Sequence, residues 1–171
     1  YKISKDVGYI KVNRFGRTTM QEFEQAMSQL GEVGTLVLDL SNNGGGLLDQ
    51  AVGMAGYFIE QDSLVVSTEG RAIEPRYFYA ENGGRFKGNL IVMINESSAS
   101  GSEIVAGAVQ DWDRGLLVGR SSFGKGLVQS QIPLGDGTAV RLTVARYHTL
   151  SGRVIPRPYE RGDADEYHKA H

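Results

Sequence analysis

The 171-residue sequence predicts an α/β domain with a parallel-stranded core and a C-terminal part that is rich in β-strand. Two observations support this prediction. Through the first two thirds of the chain, short apolar runs alternate with helical patterns, which is typical of strand-turn-helix units with parallel strands. The last third carries two strand-like stretches around the turn sequence GDG, which indicates a hairpin. We expect a single domain over residues 1–171, large enough to bury about 70% of its unfolded surface.

The first predicted elements are the strand GYIKVNRF and the helix TTMQEFEQAMSQLG. Thr19 and Glu22 have the spacing of a capping box at the start of this helix. Its apolar face has the helical period and consists of Met20, Phe23, Met27 and Leu30. The run TLVLDL, residues 35–40, is almost continuously apolar, as in a strand covered on both sides. SNNGGG then turns it into the helix LLDQAVGMAGYFI.

The second half continues the alternation after a more polar stretch over residues 60–88. Within that stretch, YFYAENGGRF predicts a hairpin. NLIVMIN, residues 89–95, is a second buried strand, and SSASGSEIVAGAVQDW enters another helix. GLLVG is a third strand, after which AVRLTVARYHT is expected to pair with LVQSQIPL across GDG.

Composition excludes several classes of function. The formal net charge is −2 and like charges do not form long runs, which argues against nucleic acid or a polybasic membrane contact. There are no cysteines, so disulfides and thiolate metal sites are excluded. No apolar stretch reaches the roughly 18 residues of a membrane span. The chain opens without methionine and we expect it to be part of a longer protein, so any membrane association would come from regions outside it.

The stretch VGRSSFGKG has the spacing of a phosphate-binding loop, G-x-x-x-x-G-K, from Gly119 to Lys125. Such a loop needs Ser or Thr after the lysine to ligate magnesium, and Gly126 stands there instead. It must also open a helix at the phosphates, whereas the following LVQSQIPL alternates like a strand. A nucleotide-binding enzyme is therefore the weaker hypothesis, and we expect no nucleotide.

A serine nucleophile is the stronger hypothesis. The junction NESSAS lies where a strand ends and a helix begins, and free backbone N–H groups at a helix start can stabilise an oxyanion. The structural alternative is that Ser100 and Glu103 form a capping box. A serine nucleophile needs a base, and no histidine is close in sequence to this junction: the three are His148, His168 and His171. A neutral lysine can act instead, and Lys125 on the loop FGKG is the candidate.

The segment NESSASGSEIVAGAVQDWDRGLLVGRSSFGKGLVQS resembles the active-site segment of the carboxy-terminal processing (tail-specific) serine proteases. That family has a serine in the context S-A-S-x-S-E and a lysine in F-G-K-G, and Ser100 and Lys125 stand at the family's separation of 25 residues. Gln129 stands four residues past the lysine, where the family has a glutamine. The resemblance implies that Ser100 is the nucleophile, that Lys125 is its base and that Gln129 orients the amine.

The resemblance extends over nearly the whole chain. LVLDLSNNGGGLL is similar to the family's L-D-L-R-x-N-P-G-G-L-L, whose glycine amide joins the amide after the nucleophile in the oxyanion hole. These two amides correspond to Gly45, with Gly46 as second choice, and to Gly101. Ser41 replaces the usual arginine and Gly44 the usual proline, and both departures favour the alternative of a non-catalytic protein-binding scaffold.

Fold, activity and location follow from the resemblance as expectations. It implies a crotonase-like (ClpP-like) α/β fold with a strand-turn-helix core and a β-rich C-terminal part. It implies a serine endopeptidase acting on protein or peptide substrates with accessible C-termini, without metal, nucleotide or other cofactor. It further implies an exported enzyme, periplasmic or membrane-associated, with a PDZ-like domain upstream of this chain.

Overall fold

The computed structural model describes residues 1–153 and residue 155. Its elements in chain order are β1 (Val7–Lys11), α1 (Thr19–Leu30), β2 (Thr35–Asp39), α2 (Leu48–Phe58), β3 (Leu64–Gly70), β4 (Ile73–Tyr79), β5 (Asn89–Ile94), α3 (Gly101–Asp111), β6 (Leu116–Gly119), β7 (Leu127–Pro133) and β8 (Ala139–His148). Two four-stranded sheets result, in the strand orders β1-β2-β5-β6 and β4-β3-β8-β7. No helix of the described residues is long and apolar enough to cross a membrane.

The first sheet is parallel throughout, as the alternating strand and helix patterns predict. Leu36 and Leu38 of β2 lie opposite Leu90 and Val92 of β5, and all four side chains are buried. Successive strands of this sheet are joined by crossovers that contain a helix, and because the strands are parallel, the carboxyl ends of all four lie at the same edge. β6 is an edge strand, so two of its apolar side chains remain exposed, namely those of Leu116 and Val118.

The second sheet is antiparallel. β7 pairs with β8 from Leu127 opposite Arg146 to Pro133 opposite Ala139, so the predicted C-terminal hairpin across GDG is confirmed. Its register shifts between Val128 and Gln129, where β8 has one extra residue. This sheet makes the C-terminal part β-rich, as predicted, and the fold as a whole is a mixed α/β fold.

The hairpin predicted at YFYAENGGRF is wrong. The hairpin here is formed by β3 and β4, its turn lies at residues 71–72, and β4 already ends at Tyr79. The residues after it form a loop that lies directly against residues 60–61, since a Cβ on Gly83 would lie 2.1 Å from the backbone nitrogen of Gln61. The glycines of ENGG therefore serve a close backbone approach and not a tight strand reversal.

The capping box predicted for α1 is also wrong. Thr18 is the N-cap, and its hydroxyl donates to the Glu22 carboxylate at 2.6 Å. Thr19 is the first helical residue and is buried. Its hydroxyl accepts from the N–H of Gly16 at 2.9 Å and donates to the carbonyl of Arg14 at 3.1 Å. The hydroxyl is thus used to fix the preceding loop, which spacing within the helix could not reveal. The predicted apolar face is confirmed, because two of its side chains are buried and two pack against the core.

Candidate active site

Three loops meet at the carboxyl edge of the parallel sheet. They are the glycine loop (residues 40–47) after β2, the serine loop (residues 95–100) after β5 and the lysine loop (residues 120–126) after β6. The three strands are consecutive neighbours in the sheet, so the loops are adjacent in space although they are separated by up to 86 residues in sequence. Ligands of open parallel sheets bind at such an edge. The sheet topology therefore brings the predicted site residues to one place.

Asn43 connects the glycine loop to the serine loop. Its carbonyl accepts the N–H of Ala99 at 3.0 Å and the hydroxyl of Ser102 at 2.8 Å. Its side chain is fully buried and donates to the carbonyl of Val12 at 2.8 Å. A buried amide with every polar atom bonded holds its surroundings in one arrangement. The main-chain carbonyl of Asn43 thus joins the glycine loop to the serine loop and to the start of α3. Its buried side chain holds the glycine loop in place, a role that the sequence did not single out.

Ser100 is the N-cap of α3 and has a φ of +53° and a ψ of −110°. A non-glycine residue with positive φ is strained, whereas an ordinary N-cap residue lies in the β region. Ser100 and Glu103 form the predicted capping box, in which the Ser100 N–H donates to Glu103 Oε2 at 2.7 Å. The N–H of the next residue, Gly101, donates to no acceptor among the described residues. A strained serine beside a free amide at a helix start is the local geometry that serine hydrolases use.

The predicted oxyanion glycine lies directly against this serine. Gly45 has a φ of +94°, and a Cβ on it would lie 2.7 Å from Ser100 Cβ and 2.8 Å from the nitrogen of Gly101. However, the Gly45 N–H donates to Asn43 Oδ1 at 2.9 Å and so is already engaged. The N–H of Gly46 has no acceptor within the part of the chain that the structure describes.

Glu103 joins the serine loop to the lysine loop, a role that sequence reasoning missed. Only 5% of the residue is exposed, and its carboxylate accepts four hydrogen bonds. They come from the backbone of Ser100 (2.7 Å), Gly124 (2.6 Å) and Lys125 (2.9 Å) and from the hydroxyl of Ser122 (2.7 Å). The capping-box motif identified this residue, but only for the bond within its own helix.

Lys125 lies on the lysine loop and Gln129 lies on β7, but neither side chain is hydrogen-bonded to Ser100. Lys125 is half-buried, and its amine makes no hydrogen bond or ion pair with any described residue. Gln129 is exposed, and its side chain also lacks a hydrogen bond in the described part of the chain. The structure therefore brings the Ser100 and Lys125 main chains together but does not show the three side chains in contact.

The same loop argues against nucleotide binding. The N–H groups of Gly124 and Lys125, which in a phosphate-binding loop would face the phosphates, donate to the Glu103 carboxylate. The segment that follows is β7 and not a helix, as the sequence predicted. His148 lies at the end of β8 with Nε2 3.9 Å from a Glu69 carboxylate oxygen. His168 and His171 lie outside the described residues.

A buried carboxylate stabilises the base of the glycine loop. Asp39, at the end of β2, accepts hydrogen bonds from the Tyr9 hydroxyl at 2.5 Å, the Lys11 amine at 3.1 Å and the Ser41 N–H at 2.8 Å. Burial by itself would raise the pKa of Asp39, but these donors outweigh it and hold the pKa below its usual value. The bond to Asp39 in turn raises the pKa of Tyr9 to about 12.

The comparisons with known proteins agree with the fold and identify a family of peptidases. The sequence model of peptidase family S41 matches residues 6–159, so the chain belongs to this family. It is 40% identical over 163 residues to a carboxy-terminal-processing protease of Bartonella bacilliformis, and this match covers 91% of this chain and 37% of the relative. It is 38% identical over 150 residues to a chloroplastic C-terminal processing peptidase of Tetradesmus obliquus, covering 86% of this chain and 32% of the relative.

The structural comparison gives the same family. The structure of a photosystem II D1 C-terminal processing protease superposes with a TM-score of 0.80 at 36% sequence identity, covering 88% of this chain and 39% of that one. The chain is thus homologous to the carboxyl-terminal processing serine proteases, as the two motifs predicted. It spans about a third of the length of these curated relatives.

Proposed function

We propose that this chain carries the active site of a serine endopeptidase in which Ser100 is the nucleophile and Lys125 is its base. The observation that carries the proposal is the Glu103 carboxylate, which bonds to the main chains of both residues at 2.7 and 2.9 Å. A nucleophile and a base must be held within reach of each other, and this contact holds the segments that bear them. The strained backbone of Ser100 is a second support.

In the proposed reaction, the Ser100 hydroxyl attacks the scissile carbonyl while the neutral amine of Lys125 takes its proton. The same amine then protonates the leaving nitrogen, and a water molecule releases the acyl group by the reverse sequence. Gln129 orients the amine through its side-chain carbonyl. No hydrogen bond joins these side chains in the present structure, and catalytic hydrogen bonds of unliganded enzymes commonly form only when substrate binds.

The oxyanion is assigned to the Gly101 amide and to one amide of the glycine loop. Gly101 supports this assignment because its N–H has no acceptor among the residues that the structure describes. Gly45 lies against the serine, but its N–H would have to exchange Asn43 Oδ1 for the substrate oxygen. Gly46 is the alternative donor, because its N–H is not bonded to any described residue. Each such donor contributes about 10²–10³ in rate.

Substrate, location and fold class are proposed from the relatives. Their names describe C-terminal processing, so we assign protein or peptide substrates that are cut near accessible C-termini. We further propose an exported enzyme, periplasmic or membrane-associated, in which a PDZ-like domain lies upstream of a catalytic domain over residues 1–171. The crotonase-like assignment of the α/β core belongs to the same proposal, and the parallel sheet with its helical crossovers supports it.

The test compares the full-length protein with its Ser100→Ala variant on an unfolded protein substrate. We expect cleavage by the wild type and none by the variant, with the fold retained because losing a cap costs only about 1 kcal/mol. Ser97→Ala is the matched control, since Ser97 is an exposed serine of the same loop, and it should cleave normally. Full turnover by a folded Ser100→Ala variant would disprove the assignment. Binding without cleavage by the wild type would instead favour the non-catalytic scaffold.

A further inference from the structure

We propose that Glu103 is a positioning residue that sets the separation of Ser100 and Lys125, an inference that rests on the proposed function. One carboxylate oxygen, Oε2, accepts the N–H of Ser100 and the N–H of Lys125 at 2.7 and 2.9 Å. The other, Oε1, accepts the N–H of Gly124 and the hydroxyl of Ser122 at 2.6 and 2.7 Å. A single oxygen atom therefore bridges the backbones of the two residues that must react together.

A helix cap alone does not account for this arrangement. A capping glutamate returns one bond to the N-cap N–H, and the Ser100 bond supplies it. The other three bonds reach a loop 19 to 22 residues further along the chain. Together they use the full acceptor capacity of a carboxylate, which is about four sites. Most of the bonds of this side chain therefore serve the lysine loop and not the helix start.

The negative charge of Glu103 is what makes the bridge strong. A buried carboxylate is costly unless it is well hydrogen-bonded, and bonds to an ionised acceptor are shorter and stronger than those between neutral groups. Glu103 stands on the first turn of α3, whose residues 101–106 are all buried, so the anchor of the bridge is rigid. A displacement of about 1 Å between reacting groups can cost about 10² in rate. Loss of the bridge should accordingly appear in kcat.

Two variants of the full-length protein test the bridge. Glu103→Gln keeps the length but replaces one oxygen by an NH₂ group, which cannot accept and faces two donors. Glu103→Asp keeps the charge but is one methylene too short. We expect kcat to fall by about 30- to 100-fold in Glu103→Gln and by less in Glu103→Asp, with KM changed less than about threefold in both.

Asp111→Asn is the matched control. Asp111 is the carboxylate at the opposite end of α3, its side chain is 4% exposed, and it accepts the N–H of Ser151 at 2.8 Å. It touches none of the three loops described above. We expect Asp111→Asn to lower the melting temperature and to leave kcat unchanged. If it lowers kcat as much as Glu103→Gln at an equal loss of stability, the effect is general and the proposal is overturned.

A measurement that needs no activity separates this inference from the function on which it rests. Amide hydrogen exchange at Gly124 and Lys125 should become faster in Glu103→Gln and stay unchanged in Asp111→Asn. Unchanged exchange at both amides, or a folded Glu103→Gln variant with wild-type kcat, would overturn the bridge. Absence of cleavage by the wild type would instead refute the proposed peptidase activity. The exchange result would still decide whether Glu103 holds the lysine loop.

Discussion

Ser100 holds a backbone conformation that costs a serine about 1–3 kcal/mol. Its φ is +53°, and the contacts around it keep it there. Its N–H is bonded to Glu103, its carbonyl accepts the N–H of Glu103 and of Ile104, and the backbone of Gly45 lies against its side chain. Strain at a single residue persists only where its neighbours over-determine it, so the backbone from which the hydroxyl projects is fixed by the fold before any substrate binds.

Lys125 can be tested as a base by a substitution that keeps its charge. Arginine is similar in length and positively charged, but it does not release a proton at working pH. We therefore expect Lys125→Arg and Lys125→Ala to lose peptide hydrolysis equally, each by at least about 100-fold. Steady-state kinetics on a peptide substrate measures this. Substantial turnover by the arginine variant would show that position 125 supplies a charge and not a base.

At the scale of elements, the sequence predicted the helices and strands that have a regular apolar period, but it did not predict contacts between loops. α1, β2, α2, β5 and the β7–β8 hairpin were all predicted, because their apolar patterns repeat with the period of a helix or a strand. β3 and β4 were missed within a stretch treated as a polar insertion. β4 contains Pro75 and is an exposed edge strand, so it lacks both the apolar run and the uninterrupted pattern of a central strand.

The placement of the candidate site residues on loops could be predicted from the same periodic patterns, whereas the hydrogen bonds between those loops could not. The sequence places Ser100, Lys125 and Gly45 on loops after consecutive parallel strands, and the structure brings those loops together. The bonds of Glu103 to the lysine loop and of Asn43 to Gly45 depend on how the loops pack. Loop conformation leaves no periodic signal in a sequence, so these hydrogen bonds could not be predicted from the sequence.

Two neighbouring glycines of the glycine loop should respond oppositely to alanine. At Gly44 a Cβ would meet no atom within 4 Å and φ is not positive, so Gly44→Ala should raise the free energy of unfolding by about 0.4–1 kcal/mol. At Gly45 the Cβ would lie 2.7 Å from the carbonyl oxygen of Ala99, and φ is +94°. Gly45→Ala should therefore lower stability by about 1–3 kcal/mol.

Urea unfolding of the two variants measures the difference, and their peptidase rates add a second readout. Displacing the glycine loop from the serine should cost Gly45→Ala about 10² in kcat, whereas Gly44→Ala should keep the wild-type rate. Equal stability of the two variants would mean that Gly45 is not constrained in solution as it is in this structure.

At the scale of the whole molecule, the parallel sheet holds the site, and carboxylates with lowered pKa values contribute to how stability depends on pH. The Asp39 cluster ties β1 to the end of β2, so its protonation affects the sheet from which the glycine loop emerges. The pKa of Asp39 is lowered in the folded protein, and so is that of Asp111. A lowered carboxyl pKa contributes stability that is present above the unfolded value of about 3.9 and is lost as pH falls through the folded value.

The acid limb of the stability curve should therefore depend on Asp39. We expect the free energy of unfolding of the wild type to decrease as pH falls below about 4, with a smaller slope in Asp39→Asn. Chemical denaturation at a series of pH values gives both slopes. Asp39→Asn is also expected to be less stable at neutral pH, because the asparagine leaves a donor facing Tyr9, Lys11 or the Ser41 N–H. If the wild type and Asp39→Asn had identical slopes below pH 4, Asp39 would not contribute to the loss of stability in acid.

At alkaline pH the effect has the opposite sign, and Tyr9 contributes to it. Its pKa is raised to about 12, so the folded protein holds the phenolic proton more tightly than the unfolded chain, whose value is about 10. Stability from this group is complete below about pH 10 and is lost as pH rises from about 10 to about 12. Tyr9→Phe keeps the ring stacked on Tyr1 but has no proton to lose, so its free energy of unfolding should fall less steeply over that range. A variant whose alkaline slope matches that of the wild type would show that the Tyr9–Asp39 bond does not persist in solution.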